Sequence, residues 1–157
     1  MKLYQSVFIA LAMLTSMPAF CQEGGTSNME ILRQKIKADK KLVVAANIGL
    51  TEAEAKAFWP VYEAYQNDLQ QINQRLGKVI SDYADAYNKG QVPGDTARRL
   101  LNDALDIEEA ETKLKRAYVT KLEKTIPGAK VARYMQIENK IRAIIKYELA
   151  AEIPLIQ

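Results

Sequence analysis

A chain of 157 residues that is 48% apolar and 26% charged can bury one core of ordinary size, and its length does not call for two. The balance of 22 basic against 19 acidic residues, a formal charge of +3, is too even for the basic stripe of a nucleic-acid binder. The sequence has no histidine and one cysteine, which excludes histidine general bases, histidine-ligated zinc or copper, a histidine pH switch and a disulfide framework.

The first 21 residues have the pattern of an export signal. Lys2 supplies a positive start, Ser6 to Met17 form an apolar run, and Pro18 breaks it before Ala19-Phe20-Cys21. The run is shorter than the roughly 20 apolar residues that span a bilayer, so it predicts cleavage after Cys21 and no membrane span afterwards. The alternative is a lipoprotein acylated on Cys21, against which stands the bulky Phe20 just before the cysteine. Cleavage predicts a periplasmic protein without any thiol, whose 21 basic and 19 acidic residues leave a charge of +2. Residues 22–28 read as a flexible leader, and residues 29–157 as one all-helical domain.

Ser27 and Glu30 fit a capping box opening a first helix from Met29 to Ala46. Leu32, Ile36 and Val43 are expected on its buried face, with Asp39 interrupting the stripe. Asn47-Ile48-Gly49 ends it. Thr51 with Glu54 three residues on is a second capping box, which also places acid at the positive end of the next helix.

That second helix dominates the chain. Phe58, Tyr62, Tyr65, Leu69, Ile72, Leu76, Val79, Tyr83 and Tyr87 recur at steps of three and four, a continuous buried stripe with a coiled-coil-like seam. From Glu52 to Lys89 it would extend ~57 Å at 1.5 Å per residue. Pro60 falls inside, cannot donate to the carbonyl of Lys56, and predicts either a kink or a short helix followed by a long one. Asn88-Lys89-Gly90 closes the helix, and Gln91-Val92-Pro93-Gly94-Asp95 is a turn.

Asp95 is the expected cap of a third helix from Thr96 to about Thr125, antiparallel to the second because the connection is short. Leu100, Ala104, Ile107, Leu114 and Tyr118 make its facing stripe, interrupted at Glu111, while Leu101, Leu105 and Leu122 are expected to widen it. Pro127 opens a fourth helix to about Ala150, with Val131, Tyr134, Ile137, Ile141, Ile144, Ile145 and Leu149 as its apolar set. Nothing reads as a strand. Burying each large apolar side chain stabilises by roughly 1.5–3 kcal/mol, against a few tenths for a surface ion pair, so these stripes decide an all-α fold of four helices built on a long antiparallel hairpin.

Chemistry-bearing motifs are absent: no nucleophile elbow, phosphate-binding glycine loop, dinucleotide fingerprint or EF-hand spacing occurs. The acidic run Asp103, Asp106, Glu108, Glu109 and Glu111 wraps around its helix instead of converging. It reads as a solvated face in which Glu109 and Glu111 pair with Lys113 and Lys115 one turn on. Charge along this helix is segregated, with two Arg and six Asp or Glu in residues 95–111 and seven Lys or Arg and one Glu in residues 112–133. Complementarity to the helix dipole accounts for the basic residues of the last turn; a basic flank drawing in partners would use the whole segment.

The layout resembles the LTxxQ-motif periplasmic proteins, the Spy and CpxP group with its ZraP-like relatives. The likeness rests on the export signal, a short first helix, Leu50-Thr51-Glu52-Ala53-Glu54 opening a long second helix, the Pro-Gly-Asp turn and a fourth helix started at a proline. Leu50 and Thr51 match the motif, Glu54 stands where the family has glutamine, and Ile126-Pro127-Gly128 keeps only part of the second motif. The resemblance implies an all-helical dimer shaped as a cradle, which binds unfolded envelope proteins without ATP or adjusts an envelope-stress sensor. The metal-binding relatives use histidines and cysteines that this chain lacks, so no metal or cofactor is carried over. The expectation is therefore a non-enzymatic periplasmic binding protein, chaperone-like or an adaptor, with proteins as partners; the alternative is a coiled-coil partner of one dedicated envelope protein. The candidate client surface is Phe58, Trp59, Tyr62 and Tyr65 with the basic flank Lys113, Arg116 and Lys124, and the capping residues are Leu50, Thr51 and Glu54.

Overall fold

A computed structural model describes residues 39–156; the expected export signal, the expected leader and the part of the expected first helix up to Ala38, with Leu32 and Ile36, lie outside them. Within these residues α1 covers 39–48, α2 Glu52–Asn88, α3 Gly94–Leu122 and α4 Gly128–Glu152, with no strand among the described residues.

Local chemistry sets the helix ends. Gly49 closes α1 at φ 69°, in the left-handed region that favours glycine. The Thr51 capping box is formed: Thr51 Oγ1 accepts from the Glu54 amide at 3.3 Å, and the Thr51 amide donates to Glu54 Oε2 at 2.7 Å. Lys130 Nζ lies 2.6 Å from the same carboxylate, tying the start of α2 to the start of α4. These hydrogen bonds, from Lys130 first and then the Thr51 amide, hold the Glu54 carboxyl below its ordinary range.

Helix α2 runs through Pro60 without interruption, which rules out a short helix followed by a separate long one. Lys56 and Pro60 are both exposed, so the carbonyl deprived of its donor lies on the solvent side, where water can satisfy it. At 37 residues the helix is ~55 Å long. Helix α3 starts differently from expectation. Pro93 occupies the cap position without a side-chain cap, and Asp95 sits in the first turn, where it pairs with Arg98 at 2.6 Å. Proline's fixed φ already suits a helix entry, and acid in the first turn is favoured by the dipole, so no capping side chain is required there. The helix ends at Leu122, and the Thr125 hydroxyl and the Ile126 amide both donate to the Leu122 carbonyl.

The three long helices α2, α3 and α4 form an up-down-up arrangement. Tyr65 meets Tyr118 edge-on at 5.2 Å, which sets α3 antiparallel to α2, and these two helices approach each other most closely. Phe58 meets Tyr134 at 5.2 Å near the helix starts, while the Tyr83 hydroxyl donates to the Pro154 carbonyl at the far end, so α4 runs parallel to α2. Helix α1 packs beside the start of α2, with Lys41 paired to Glu63 at 2.7 Å. It buries Val44 and Ile48 and leaves Val43 exposed, one position away from the expected face, because the four-residue steps 40, 44 and 48 line up along α2.

The core has two unequal parts. A proximal cluster at the start of α2 holds eleven buried residues, among them Val44, Phe58, Tyr65, Leu122 and Tyr134. The distal cluster has only Ile80 and Leu149 fully buried, with Leu76, Ile145 and Ile153 packed against them. Along α2 the buried line follows the expected stripe as far as Ile72 and then moves to Asn73, Gly77, Ile80 and Ala84, leaving Leu76, Val79, Tyr83 and Tyr87 half-buried. Gly77 and Ala84 are small enough for a neighbouring helix to approach the backbone, which shifts the contact line by one position. Leu101 and Leu105 point outward, 59% and 54% exposed, instead of widening the face of α3. Ile144 is likewise exposed on α4.

Candidate functional site

The aromatic set expected to meet a client is consumed by the fold. Phe58, Tyr62 and Tyr65 are buried in the proximal cluster, and Trp59 is half-buried, edge-on to Phe58 at 5.1 Å and to Tyr62 at 5.3 Å. Lys41 Nζ lies 5.0 Å above the indole, a cation–π contact. Phe58, Tyr62 and Tyr65 therefore supply core, and Trp59 keeps a partly exposed edge. Lys113, Arg116 and Lys124 are exposed on α3 and just beyond it, Lys113 paired with Glu109 at 2.7 Å. That ion pair lowers the Glu109 carboxyl. Leu50, Thr51 and Glu54 act at the helix start described above.

Between the two apolar clusters lies a charged layer. Arg142 on α4 donates through Nη1 to Asn73 Oδ1 on α2 and through Nη2 to Glu111 Oε2 on α3, both at 2.6 Å. Lys115 Nζ holds the other Glu111 oxygen at 2.8 Å. Glu111 is buried, so it is part of the interior and not of a solvated face, although its pairing with Lys115 is as expected. Burial alone would raise its carboxyl, but the hydrogen bonds from Arg142 and Lys115 and their charges outweigh that and bring it down to about 2. The Arg142 Nε–H is buried without a protein acceptor. One turn before Arg142, buried Glu138 accepts from Gln66 Nε2 at 2.8 Å and pairs with Lys40 Nζ at 2.8 Å, joining α4 to α2 and α1. The Tyr118 hydroxyl donates to Asp68 Oδ2 at 2.6 Å; burial, reinforced by that carboxylate, pushes it up to about 12. Burial also raises Tyr62, Tyr65 and Tyr134, the Glu138 charge adding to the effect.

Chemically, the layer is a lock. Glu111 and Glu138 are each engaged by a cation and a further donor, and the buried tyrosines are held protonated, so neither set presents a poised base or nucleophile. Among the described residues no three His, Cys, Asp or Glu side chains gather to hold a metal ion. An open groove between α2 and α3 is lined by Ile72 and Leu114 together with Asp68, Arg75 and Lys113. In the sequence, the break of the α3 stripe at Glu111 was the only trace of this layer. Glu138 and Arg142 were hidden among the isoleucines of α4, which already offered a complete apolar set.

What remains on the surface is apolar side chains at the distal half. Leu101 and Leu105 on α3, Ile144 and Tyr147 on α4, and Leu155 and Ile156 beyond it are all more than half exposed. Among the described residues, Leu42 and Val43 on α1 are the other large exposed apolar residues. The segregation of charge on α3 places its acidic half beside the distal patch and its basic half at the proximal end. No described helix is long and apolar enough to cross a membrane. The molecule thus belongs by construction to the α-helical bundles, with a charged layer at its waist and an apolar end. Set against protein-family models, curated proteins and solved structures, the chain matches none.

Proposed function

We propose that the chain is a non-enzymatic, exported binding protein that holds apolar segments of other proteins without nucleotide, as a chaperone-like or envelope-stress adaptor protein, and that it works as a homodimer. The observation that carries this reading is the set of large apolar side chains left on the distal half, Leu101, Leu105, Ile144 and Tyr147, on helices otherwise rich in charge. Exposed apolar surface of this kind marks an interaction site more often than an accident of folding. The binding surface is thus the distal half and not the Phe58–Tyr65 face. Suppression of aggregation of a chemically denatured client should rise with protein concentration and weaken when Leu101 and Tyr147 are replaced by lysine. No suppression at several-fold molar excess would reject the reading. A second reading, a dedicated partner of one envelope protein, draws on the segregated charge of α3, which suits one complementary helix; it predicts a single species on pull-down and no general protection.

A further inference from the structure

We propose that the isoleucine edge of α4, formed by Ile137, Ile141 and Ile144, is the seat of the chain that precedes α1, and that Ile36 and Leu32 are the side chains that cover it. The inference stands apart from the binding reading and narrows its surface to Leu101, Leu105 and Tyr147, because Ile144 then belongs to the fold. Spaced by four and three residues, the isoleucines share one face of α4. The first of them packs against the proximal cluster, the second is half-buried, and the third is 60% exposed. The line therefore begins in an existing contact and runs out onto the surface, where the described part of α1 no longer reaches it.

Direction, face and register name the occupant. Lys40 Nζ reaches both Gln66 on α2 and Glu138 on α4 at 2.8 Å, so the start of the described α1 already touches both helices. Only residues 49–51 separate α1 from α2, which makes α1 antiparallel to α2 and hence to α4. The chain before Asp39 thus sets out from the Lys40–Glu138 contact toward the distal half. Lys41, one position or about 100° on, faces Trp59 and Glu63 of α2. Carried backward at the same pitch, α1 would put Ile36 and Leu32 on the other side of Lys40, toward α4. Ile141 and Ile144 follow Glu138 by three and six residues, ~5 and ~9 Å, while Ile36 and Leu32 precede Lys40 by four and eight residues, ~6 and ~12 Å. In an antiparallel pair this sets Ile36 opposite Ile141 and Leu32 opposite Ile144, apolar against apolar at both levels.

Amide exchange tests the proposal on the full chain. Residues 30–37 should exchange at least ten-fold more slowly than an unstructured peptide of the same sequence. Ile144→Asp, a change at an exposed position, should remove most of that protection and leave residues 58–69 unchanged. A disulfide then identifies what covers the edge. In a chain carrying Cys21→Ser, the pair Ile36→Cys and Ile141→Cys should close within one chain on mild oxidation at least ten-fold faster than Ile36→Cys with Leu105→Cys on α3. Exchange of residues 30–37 at the unstructured rate would overturn the proposal, as would protection indifferent to Ile144→Asp, since the segment would then be seated elsewhere. A disulfide formed between two chains would overturn it too, because a second copy would then cover the edge. Where the Ile141→Cys chain fails to fold, the exchange of the Ile144→Asp chain decides by itself.

Discussion

The guanidinium of Arg142 is held by an anion on one side and an amide on the other, at a level where no apolar cluster surrounds it. Removing it leaves one oxygen of the buried Glu111 and the Asn73 side-chain oxygen without a donor, with Lys115 as the remaining cation on Glu111, so Arg142→Met should cost about 3 kcal/mol in urea unfolding, while Glu111→Leu combined with Arg142→Met should recover most of the loss. The same carboxylate sets the acid limit of stability. Glu111 titrates at about 2 in the folded protein against an ordinary 4.5, so its contribution is complete above pH 4.5 and is lost as pH falls toward 2. Tyr118, at about 12 against 10, contributes fully below pH 10 and loses that contribution as pH rises toward 12. With no histidine in the chain, the urea midpoint should be level from about pH 5 to 9, and Glu111→Gln should shorten the acid limb without moving the alkaline one.

At the scale of the helix, what is local in sequence is also local in energy. The Thr51 hydroxyl caps α2, and Thr51→Ala should destabilise by about 1 kcal/mol, measured as a lower Tm. Pro60 is an exposed residue in the interior of the unbroken helix α2, where it deprives one carbonyl of its donor. Pro60→Ala should raise stability by about 1–3 kcal/mol, the gain being reduced by the freer unfolded chain; a drop in Tm would show that a bend at Pro60 is required for packing. Both positions were readable beforehand, because a cap and a helix-interior proline depend only on their near neighbours in the chain. The start of α3 was not, because Pro93 and Asp95 both suit a helix entry and only the backbone distinguishes cap from first turn.

On the scale of the whole molecule, the long α2 is shared between a thick proximal core and a thin distal one. The apolar residues of the distal half are divided between interior and surface, and this is where binding is placed. Replacing Leu101 and Leu105 together by lysine should leave the Tm within the shift expected for about 0.5 kcal/mol, since both are solvent-exposed, and should reduce protection of an aggregating client. A large loss of stability would instead place these leucines in a buried interface, and sedimentation of the unaltered protein would then show the dimer that buries them.

The sequence alone determined the helices, their antiparallel hairpin and the caps at Gly49 and Thr51, because periodicity of apolar residues and helix-end chemistry act within a few residues. It also ruled out histidine chemistry and disulfides by composition. Only the tertiary structure decided which apolar residues are core. Phe58, Tyr62 and Tyr65 went inside because α1, α3 and α4 all converge on that end of α2, whereas Leu101, Leu105 and Ile144 stayed outside because no fourth long helix lies against them among the described residues. Glu111, Glu138 and Arg142 took the buried places instead, since each met its counter-charge or donor across a helix boundary, and the desolvation of a charge is offset only by a partner that the linear pattern does not reveal.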